Sequence, residues 1–315
     1  MISVVIPVFE EAAHLEASLC KVRAVLDSTP LLNGDSFEFI LVDDGSRDGS
    51  WALLTRLAAD WPELIALRLS RNFGKEAALC AGLEAAHGDA VITLDADLQH
   101  PPELIPEMIR LWREEGAEIV EAVKINRGRE PLIRRLTAKL FYSVYTRLTA
   151  FDLRGASDFK LMNRCALEAW RDMREKVTFY RGMSAWLGFR RVQMPFTVPE
   201  RSASASKWST LKLLSLSMRA ITSFSALPLQ LISALGLVFF VASLVLGLQT
   251  LWMKLSGSAT TGFTTVILLQ LIIGSSLMLS LGIIGTYLAR IHDEVKARPR
   301  YIVAARVGGS HRASG

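Results

Sequence analysis

The chain has 315 residues, 50% of them hydrophobic, and a formal net charge of +5 at pH 7. This length accommodates one large α/β domain with further elements. The basic residues do not cluster into a stripe with aromatic platforms, which argues against nucleic-acid binding. The three cysteines fit neither a CxxC pair nor a disulfide framework, a usage compatible with a reducing cytosolic side.

The first hundred residues alternate apolar runs with segments of helical periodicity, the pattern of a mostly parallel sheet covered by helices. Buried parallel strands are unbroken Val, Ile and Leu runs. The predicted strands are Ile2–Val8, Phe37–Val42, Leu64–Leu69 and Ala90–Leu94, and the predicted helices are Glu11–Leu26, Trp51–Ala59 and Glu76–Ala86. Because the first strand begins without a basic and apolar leader, we expect no signal peptide and a domain that stays in the cytosol.

Polar residues follow each predicted strand, and ligands of such sheets bind at the carboxyl ends of the strands. These polar segments are Glu10–Glu11, Asp43–Ser46, Ser70–Asn72 and Asp95–Gln99. We therefore expect them to converge on one crevice. Further along the chain, the pattern predicts an amphipathic helix over Leu132–Leu148 and strands at Phe159–Met162 and Val192–Val198.

Two late apolar stretches, Leu227–Trp252 and Thr264–Leu288, contain no Asp, Glu, Lys or Arg. Each has the roughly 20 residues that cross a hydrocarbon core of about 30 Å; a long buried core helix is the alternative. Basic residues flank both stretches, so the positive-inside bias predicts cytoplasmic flanks and an external short loop. Ser209–Phe224 has an apolar face and is predicted to lie in the membrane interface.

The pair Asp95 and Asp97 follows the strand that ends near Leu94. Two carboxylates at this spacing can bind a divalent cation that also bridges a substrate diphosphate, although a bare DxD pattern is often only surface. His100 is a second candidate ligand, but a histidine beside Pro101 is more typical of a helix entry.

The pair Asp43 and Asp44 also follows a buried strand. A carboxylate there can accept a base N–H or a ribose hydroxyl; the alternative is a helix cap. Phe9 is a candidate for stacking on a base, or else a core residue. Arg71 and Lys75 are candidates for holding base, ribose or phosphate, with solvated surface as the alternative for Lys75.

A basic group between residues 127 and 139 is well spaced for a phosphate. Its members are Arg127, Arg129, Arg134, Arg135 and Lys139. Arg201 and Lys207 lie in the loop before the predicted interface helix, where membrane topology alone could also explain them. Asp158 lies in an irregular polar turn before a strand, a place where aspartate is usually structural.

These residues match known motifs: VVIPVFEE at residues 4–11, LVDDGS at 41–46, LSRNFGK at 69–75 and LDADLQHPP at 94–102. The chain resembles glycosyltransferase family 2, and within it the polyprenyl-phosphate glycosyltransferases related to dolichol-phosphate-mannose synthase and bacterial undecaprenyl-phosphate glucosyltransferases. Later segments continue the likeness over essentially the whole chain: residues 158–164, 179–182, 186–189, 206–208 and 223–229.

The resemblance implies an α/β GT-A fold, Rossmann-like with a mostly parallel sheet, followed by an interface helix and two transmembrane helices. It implies an inverting transfer, with catalytic residues Asp95, Asp97 and Asp158 and a Mg²⁺ or Mn²⁺ ion at Asp95 and Asp97. The residues predicted at the nucleotide-sugar are Pro7, Phe9, Glu11, Asp43, Asp44, Arg71, Lys75, Asp95, Ala96, Asp97 and Gln99. Those predicted at the acceptor phosphate are Arg127, Arg129, Arg134, Arg201 and Lys207.

Two positions depart from the family pattern. Phe9-Glu10 stands where Tyr-Asn is usual, which removes a phenolic hydroxyl and keeps a stacking ring. Ser204 stands where glycine is common, which puts the local backbone shape in doubt.

The predicted organisation is a cytoplasmic GT-A domain over residues 1–208, an interface helix over 209–225, a two-helix membrane region over 226–290 and a cytoplasmic tail over 291–315. We expect an enzyme of the inner membrane and a homo-oligomer, the latter from Gly274, Gly282 and Gly285. UDP-glucose and undecaprenyl phosphate are the first-choice substrates.

The alternatives are a GDP-mannose enzyme and a non-catalytic membrane subunit. A processive synthase is disfavoured because the QxxRW-type motif is missing. A transporter is disfavoured because uncharged spans offer no polar path.

Overall fold

The computed structural model describes residues 1–30, 36–124, 157–173, 175, 179–196, 227–256 and 262–309. The chain forms two compact units: residues Met1–Lys207 together with Pro299–Gly315, and residues Trp208–Arg298. The basic group at 127–139, the helix predicted over Leu132–Leu148, Arg201, Lys207 and the predicted interface helix all lie outside the described residues.

The first unit is built on an eight-stranded sheet in the order β7-β5-β6-β4-β1-β2-β3-β8. Its strands are β1 (Ile2–Val8), β2 (Phe37–Asp43), β3 (Leu64–Leu69), β4 (Ala90–Thr93), β5 (Ile119–Lys124), β6 (Lys160–Asn163), β7 (Arg191–Phe196) and β8 (Val303–Gly308). The four central strands are parallel, and only β6 and β8 run against the rest. The predicted mostly parallel sheet is confirmed.

Six described helices accompany this sheet. They are α1 (Leu15–Asp27), α2 (Ser50–Asp60), α3 (Lys75–Ala85), α4 (Ile105–Glu115), α5 (Arg164–Asp172) and α6 (Tyr180–Trp186). Apolar residues at helical spacing bury one face of α1, from Leu15 through Leu19 to Leu26. Helix α3 packs so closely on the sheet that a Cβ on Gly82 would lie 2.3 Å from Cγ1 of Val5.

The direction of β6 decides which residues lie at the edge of the sheet where β1, β2 and β4 end. Strand β6 is antiparallel to β4, with Lys160 opposite Thr93. The residues before β6 therefore lie at the same edge as the residues after β4. This arrangement brings Asp158 to the crevice that follows β1, β2 and β4.

The segment after residue 298 returns to the first unit. Strand β8 pairs antiparallel with β3, and the main-chain N–H of Ser70 donates to the carbonyl of Ile302 over 2.9 Å. Tyr301 donates its hydroxyl to Glu84, whose carboxylate also lies 3.7 Å from Nη1 of Arg300. Within the predicted tail over 291–315, the structure thus has the end of a helix and an edge strand.

The second unit contains two apolar helices, α7 (Leu227–Leu255) and α8 (Phe263–Val295). Their segments Leu229–Met253 and Leu269–Val295 have mean hydropathies of 2.6 and 1.8, and both are long and apolar enough to cross a membrane. These helices correspond to the two predicted spans, and α8 continues seven residues beyond the predicted end at Leu288. A Cβ on Gly274, Gly282 or Gly285 would meet no described heavy atom within 4 Å, and oligomerisation stays a prediction.

Helix α1 begins four residues later than predicted, at Leu15 instead of Glu11. The residues before it form a loop held by the β2–α2 connection: the N–H of Glu11 donates to Ser50 over 3.1 Å and that of Ala12 to Asp48 over 3.1 Å. Glu10 has a positive φ of 56°, which a helix would not allow. Side chains from elsewhere in the chain therefore satisfy these donors and delay the helix.

Candidate active site

The ammonium of Lys75 forms ion pairs with two carboxylates: Asp95, which follows β4, and Asp158, which precedes β6. Its Nζ lies 2.7 Å from Oδ1 of Asp95 and 2.7 Å from Oδ2 of Asp158. Burial alone would lower the pKa of Lys75, but the two carboxylates outweigh it and raise that pKa, so the side chain stays charged. Lys75, predicted at the nucleotide, is therefore an ion-pair bridge in this structure.

Asp158 is a buried carboxylate held by two cations. Besides Lys75, the guanidinium of Arg181 donates from Nε to Oδ1 over 2.7 Å and from Nη2 to Oδ2 over 3.0 Å. Burial would raise the pKa of Asp158, but the hydrogen bonds and charges of Arg181 and Lys75 hold it well below its usual range. A carboxylate with so low a pKa is a weak proton acceptor and a firm anchor for cations.

The backbone around Asp158 is fixed by buried polar groups. Thr93 donates its hydroxyl to the carbonyl of Asp158, and the N–H of Ser157 donates to Oε1 of Glu121 over 3.0 Å. Glu121 is itself paired with Lys160 at 3.2 Å and with Arg191 at 2.7 Å. The charges of these two cations outweigh burial and lower the pKa of Glu121, so it remains an anion inside the domain.

Helix α6 carries Arg181 and is tied to the same network. The hydroxyl of Tyr180 lies 3.0 Å from Oγ1 of Thr93, and the N–H of Tyr180 donates to Oε2 of Glu76 over 2.8 Å. Ser184 donates to the carbonyl of Arg181 over 3.1 Å and accepts from Nζ of Lys160 over 2.6 Å. The Arg181 main chain is therefore held rigidly beside Asp158.

Asp97 lies on the turn after β4, where the N–H of Gln99 donates to its Oδ1 over 3.0 Å. Leu98 between them has a positive φ of 50°, and Ala96 is buried. Glu11 is close enough that burial and then the Asp97 carboxylate raise the pKa of Glu11. The predicted grouping of Glu11 with Asp95 and Asp97 at one edge agrees with this geometry.

The donor set at Asp95 and Asp97 suits a hard divalent cation. Among the described residues no group of three or more His, Cys, Asp or Glu side chains is placed to hold a metal ion. Two carboxylates are nevertheless what Mg²⁺ typically takes from a protein when substrate phosphates supply further oxygens. His100 instead hydrogen-bonds Ser157 through Nε2 at 3.2 Å, and its ring contacts Phe159 and Phe196.

The two aspartates after β2 have different surroundings. Asp44 accepts from the N–H of Phe73 over 2.7 Å and of Gly74 over 2.9 Å, so its carboxylate clamps the β3–α3 loop. Asp43 accepts from the N–H of Ser46 through Oδ1, while its Oδ2 is buried without a hydrogen bond from the described residues and lies 3.3 Å from Nε of Arg68. Oδ2 of Asp43 thus accepts no hydrogen bond from the described residues but is ion-paired with Arg68.

The remaining nucleotide candidates lie around this edge. Pro7 is within β1 opposite Val42, and Phe9 follows the strand with 41% of its surface exposed, so it is not a core residue. Arg71 is exposed, and its guanidinium lies 4.5 Å from the ring centre of Phe73. Residues predicted from four separate strand ends thus occupy one edge of the sheet.

Three charged residues of this network were not predicted from the sequence: Arg181, Glu121 and Lys160. Arg181 lies in the segment 179–182 that carried part of the resemblance, but nothing local connects it to Asp158, 23 residues earlier. Glu121 and Lys160 are a glutamate and a lysine inside short strands, where charged residues weaken a strand prediction. The available signal for this buried ion pair was a pair of opposite charges, one inside each of two otherwise apolar segments.

The sequence of the chain matches a known protein family. Residues 3–169 match the family described as Glycosyl transferase family 2. The chain is 37% identical to the uncharacterized glycosyltransferase YkcC of Bacillus subtilis, over 97% of this chain and 94% of that protein. It is 35% identical to the SfII prophage-derived bactoprenol glucosyl transferase of Shigella flexneri, over 96% and 97% of the two chains.

Among solved structures, the chain is similar to glucosyl-3-phosphoglycerate synthase from Mycobacterium tuberculosis, solved with Mn²⁺, UDP and phosphoglyceric acid. The TM-score is 0.46 and the identity 20%, over 71% of this chain and 76% of that one. The sheet, the polar residues at its edge and the match over more than half of the sequence agree with the predicted GT-A fold. The chain belongs to glycosyltransferase family 2.

Proposed function

We propose that the protein transfers a hexose, with inversion, from a nucleotide-sugar to the phosphate of a polyprenyl lipid. UDP-glucose is the proposed donor and undecaprenyl phosphate the proposed acceptor. The observation that carries the proposal is the charged cluster of Asp95, Lys75, Asp158 and Arg181 at the edge of the sheet. The relatives named bactoprenol glucosyl transferase, which align along nearly the whole chain, support the lipid acceptor.

The donor side of the proposed site comprises the ends of β1, β2 and β4. The ring of Phe9 is exposed for stacking on the base, and Oδ2 of Asp43, which accepts no hydrogen bond from the described residues, would accept one from a base N–H or a ribose hydroxyl. Asp95 and Asp97 would hold Mg²⁺ or Mn²⁺ together with the diphosphate. When bound, such an ion stabilises the negative charge that develops on the leaving diphosphate.

The acceptor chemistry needs little proton transfer. A phosphate monoester has a second pKa of about 6, so near neutral pH its attacking oxygen is mostly an anion. The side chains must instead neutralise two anionic substrates and align them. The low pKa of Asp158 supports this reading, because Asp158 then orients cations and is not an indispensable base.

We further propose that the chain lies in the inner membrane with its catalytic unit in the cytoplasm. A polyprenyl tail cannot leave the bilayer, so the active site must work at the membrane surface. Helices α7 and α8 are long and apolar enough to provide the anchor.

The test is product formation by the full chain in detergent with undecaprenyl phosphate. Radiolabelled UDP-glucose, UDP-GlcNAc and GDP-mannose are supplied separately, with and without EDTA, and an Asp95→Asn/Asp97→Asn variant is the matched control. We expect a chloroform-soluble labelled product from UDP-glucose that is lost with EDTA and in the variant. A product from GDP-mannose alone would replace the proposed donor. Folded protein that forms no lipid product from any donor would favour a non-catalytic subunit.

A further inference from the structure

Two partly exposed cations at the candidate active site are held by one buried anion. The side chain of Asp158 is 9% exposed, whereas those of Lys75 and Arg181 are 42% and 44% exposed. Each cation therefore has one side against Asp158 and another side accessible to solvent. A single buried carboxylate thus holds an ammonium and a guanidinium, each of which keeps a solvent-accessible part.

The positive charges of Lys75 and Arg181 lie beside the carboxylates of Asp158 and Asp95, and both also interact electrostatically with Glu76. Lys75 is shared between Asp158 and Asp95, and Asp95 belongs to the pair of carboxylates that suit a divalent cation. Once such a cation holds Asp95, Lys75 keeps Asp158 as the other of its two described ion-pair partners. Arginine and lysine together are the side chains that proteins use to bind phosphate oxygens.

The second feature is that Arg181 is held rigidly by its neighbours. The main chain at Arg181 is fixed on both sides, by Tyr180 through Thr93 and Glu76, and by Ser184 through Lys160. Arg181 also donates twice to Asp158, which sets the plane of the guanidinium. Groups held in this way lose little conformational entropy when a ligand binds.

We propose that Lys75 and Arg181 form the subsite for the phosphate monoester of the acceptor, and that Asp158 is the positioning residue that orients both cations. The inference rests on the proposed function and adds two residues to the acceptor side. Lys75 was predicted at the nucleotide, and Arg181 was not predicted at all. The same cations could equally recognise the donor diphosphate, so the experiment separates the two sources of phosphate.

The experiment measures binding to the full chain in detergent by calorimetry. Farnesyl phosphate is titrated in the presence of UDP and Mn²⁺, and UDP with Mn²⁺ is titrated alone. The variants are Arg181→Gln, Arg181→Lys and Lys75→Gln, with Arg110→Gln as the control. Arg110 is a partly exposed arginine whose ion pairs within the described residues are with glutamates of its own helix. The double variant Arg181→Gln/Asp158→Asn keeps the charge balanced if Arg181→Gln alone fails to fold.

We expect Arg181→Gln and Lys75→Gln each to weaken farnesyl phosphate binding by about tenfold or more. Their UDP affinity should stay within about twofold of the wild type, and Arg181→Lys should recover part of the lipid affinity. Unchanged farnesyl phosphate binding with weakened UDP binding would overturn the inference and assign both cations to the donor. If the wild type binds UDP but no farnesyl phosphate, the proposed acceptor itself is wrong, and the subsite is wrong with it.

Discussion

The carboxylate of Asp158 lies between the Arg181 guanidinium and the Lys75 ammonium, and both cations lower its pKa. A group with a depressed pKa adds stability that is present above its unfolded value of about 3.9 and is lost only as the pH falls toward the folded value. Between pH 5 and 8 Asp158 therefore stays ionised. It cannot produce a pH dependence in that window.

This charge state predicts the pH profile of the reaction. We expect kcat/KM for the lipid phosphate to rise up to about pH 6, as the acceptor loses its second proton, and then to level off. Asp158→Asn should lower kcat by roughly 10-fold to 100-fold without changing this shape, because the cations lose a charged partner. The measurement is initial rate from pH 5 to 8.5. An Asn variant that binds both substrates and turns over at no pH would show that Asp158 is the essential base.

Asp44 has a structural role in holding the loop before Lys75, which its motif did not reveal. Its carboxylate holds the N–H groups of Phe73 and Gly74 just before Lys75. Asp44→Asn should reduce the free energy of unfolding by about 2 kcal/mol, because one of these donors then faces an amide NH₂. Chemical denaturation of the full chain tests this, with the exposed Asp60→Asn as control. Equal stability of the two variants would contradict the clamp.

At the scale of elements, hydrophobic pattern predicted the central strands well. The bounds of β1 and β3 agree with the prediction, and those of β2 and β4 differ by one residue. Strands β5 and β8 were missed because their sequences, IVEAVK and VAARVG, contain charged residues. In β5 the charge of Glu121 is compensated by Lys160 on β6 and Arg191 on β7, partners that are distant in sequence.

The contact of α3 with the sheet gives a test of packing. A Cβ on Gly82 would lie 2.3 Å from Val5 and 3.3 Å from Val42, and both are branched residues with little freedom to move. Gly82→Ala should therefore destabilise the protein by about 1–3 kcal/mol.

Two further variants test whether the contact with Val5 causes the destabilisation by Gly82→Ala. Val5→Ala should relieve part of the effect in the double variant, which a double-mutant cycle measures as coupling. Gly236→Ala is the control, since a Cβ there meets no described atom within 4 Å. Fully additive effects of the two substitutions would argue against a direct clash.

At the scale of the whole molecule, the path of the chain constrains its topology. The chain leaves the first unit after residue 207 and rejoins it at residue 299, with both apolar helices between these points. Because β8 belongs to the same sheet as β1, two membrane-spanning helices would have both ends of the segment on one side of the membrane. This constraint is independent of the positive-inside bias, and the bias alone predicts that the shared side is the cytoplasm.

Thiol labelling tests that topology. Cys20 and Cys165 are exposed in the first unit, and Ser256 follows α7. We expect a membrane-impermeant maleimide to label Ser256→Cys in intact cells, and Cys20 and Cys165 only after permeabilisation. Labelling of the native cysteines in intact cells would place the first unit outside and contradict the prediction.

The sequence by itself determined the alternation of central strands and helices, the two apolar helices and the aspartates at the strand ends. These features depend on local patterns: unbroken apolar runs, helical periodicity and polar residues at strand ends. Tertiary structure alone decided that β6 runs against β4, that Lys75 joins Asp95 to Asp158 and that Arg181 completes the cluster. These pairings link residues 20 to 83 positions apart. A local pattern cannot encode them, because strand direction and the burial of compensated charges are settled only when the sheet assembles.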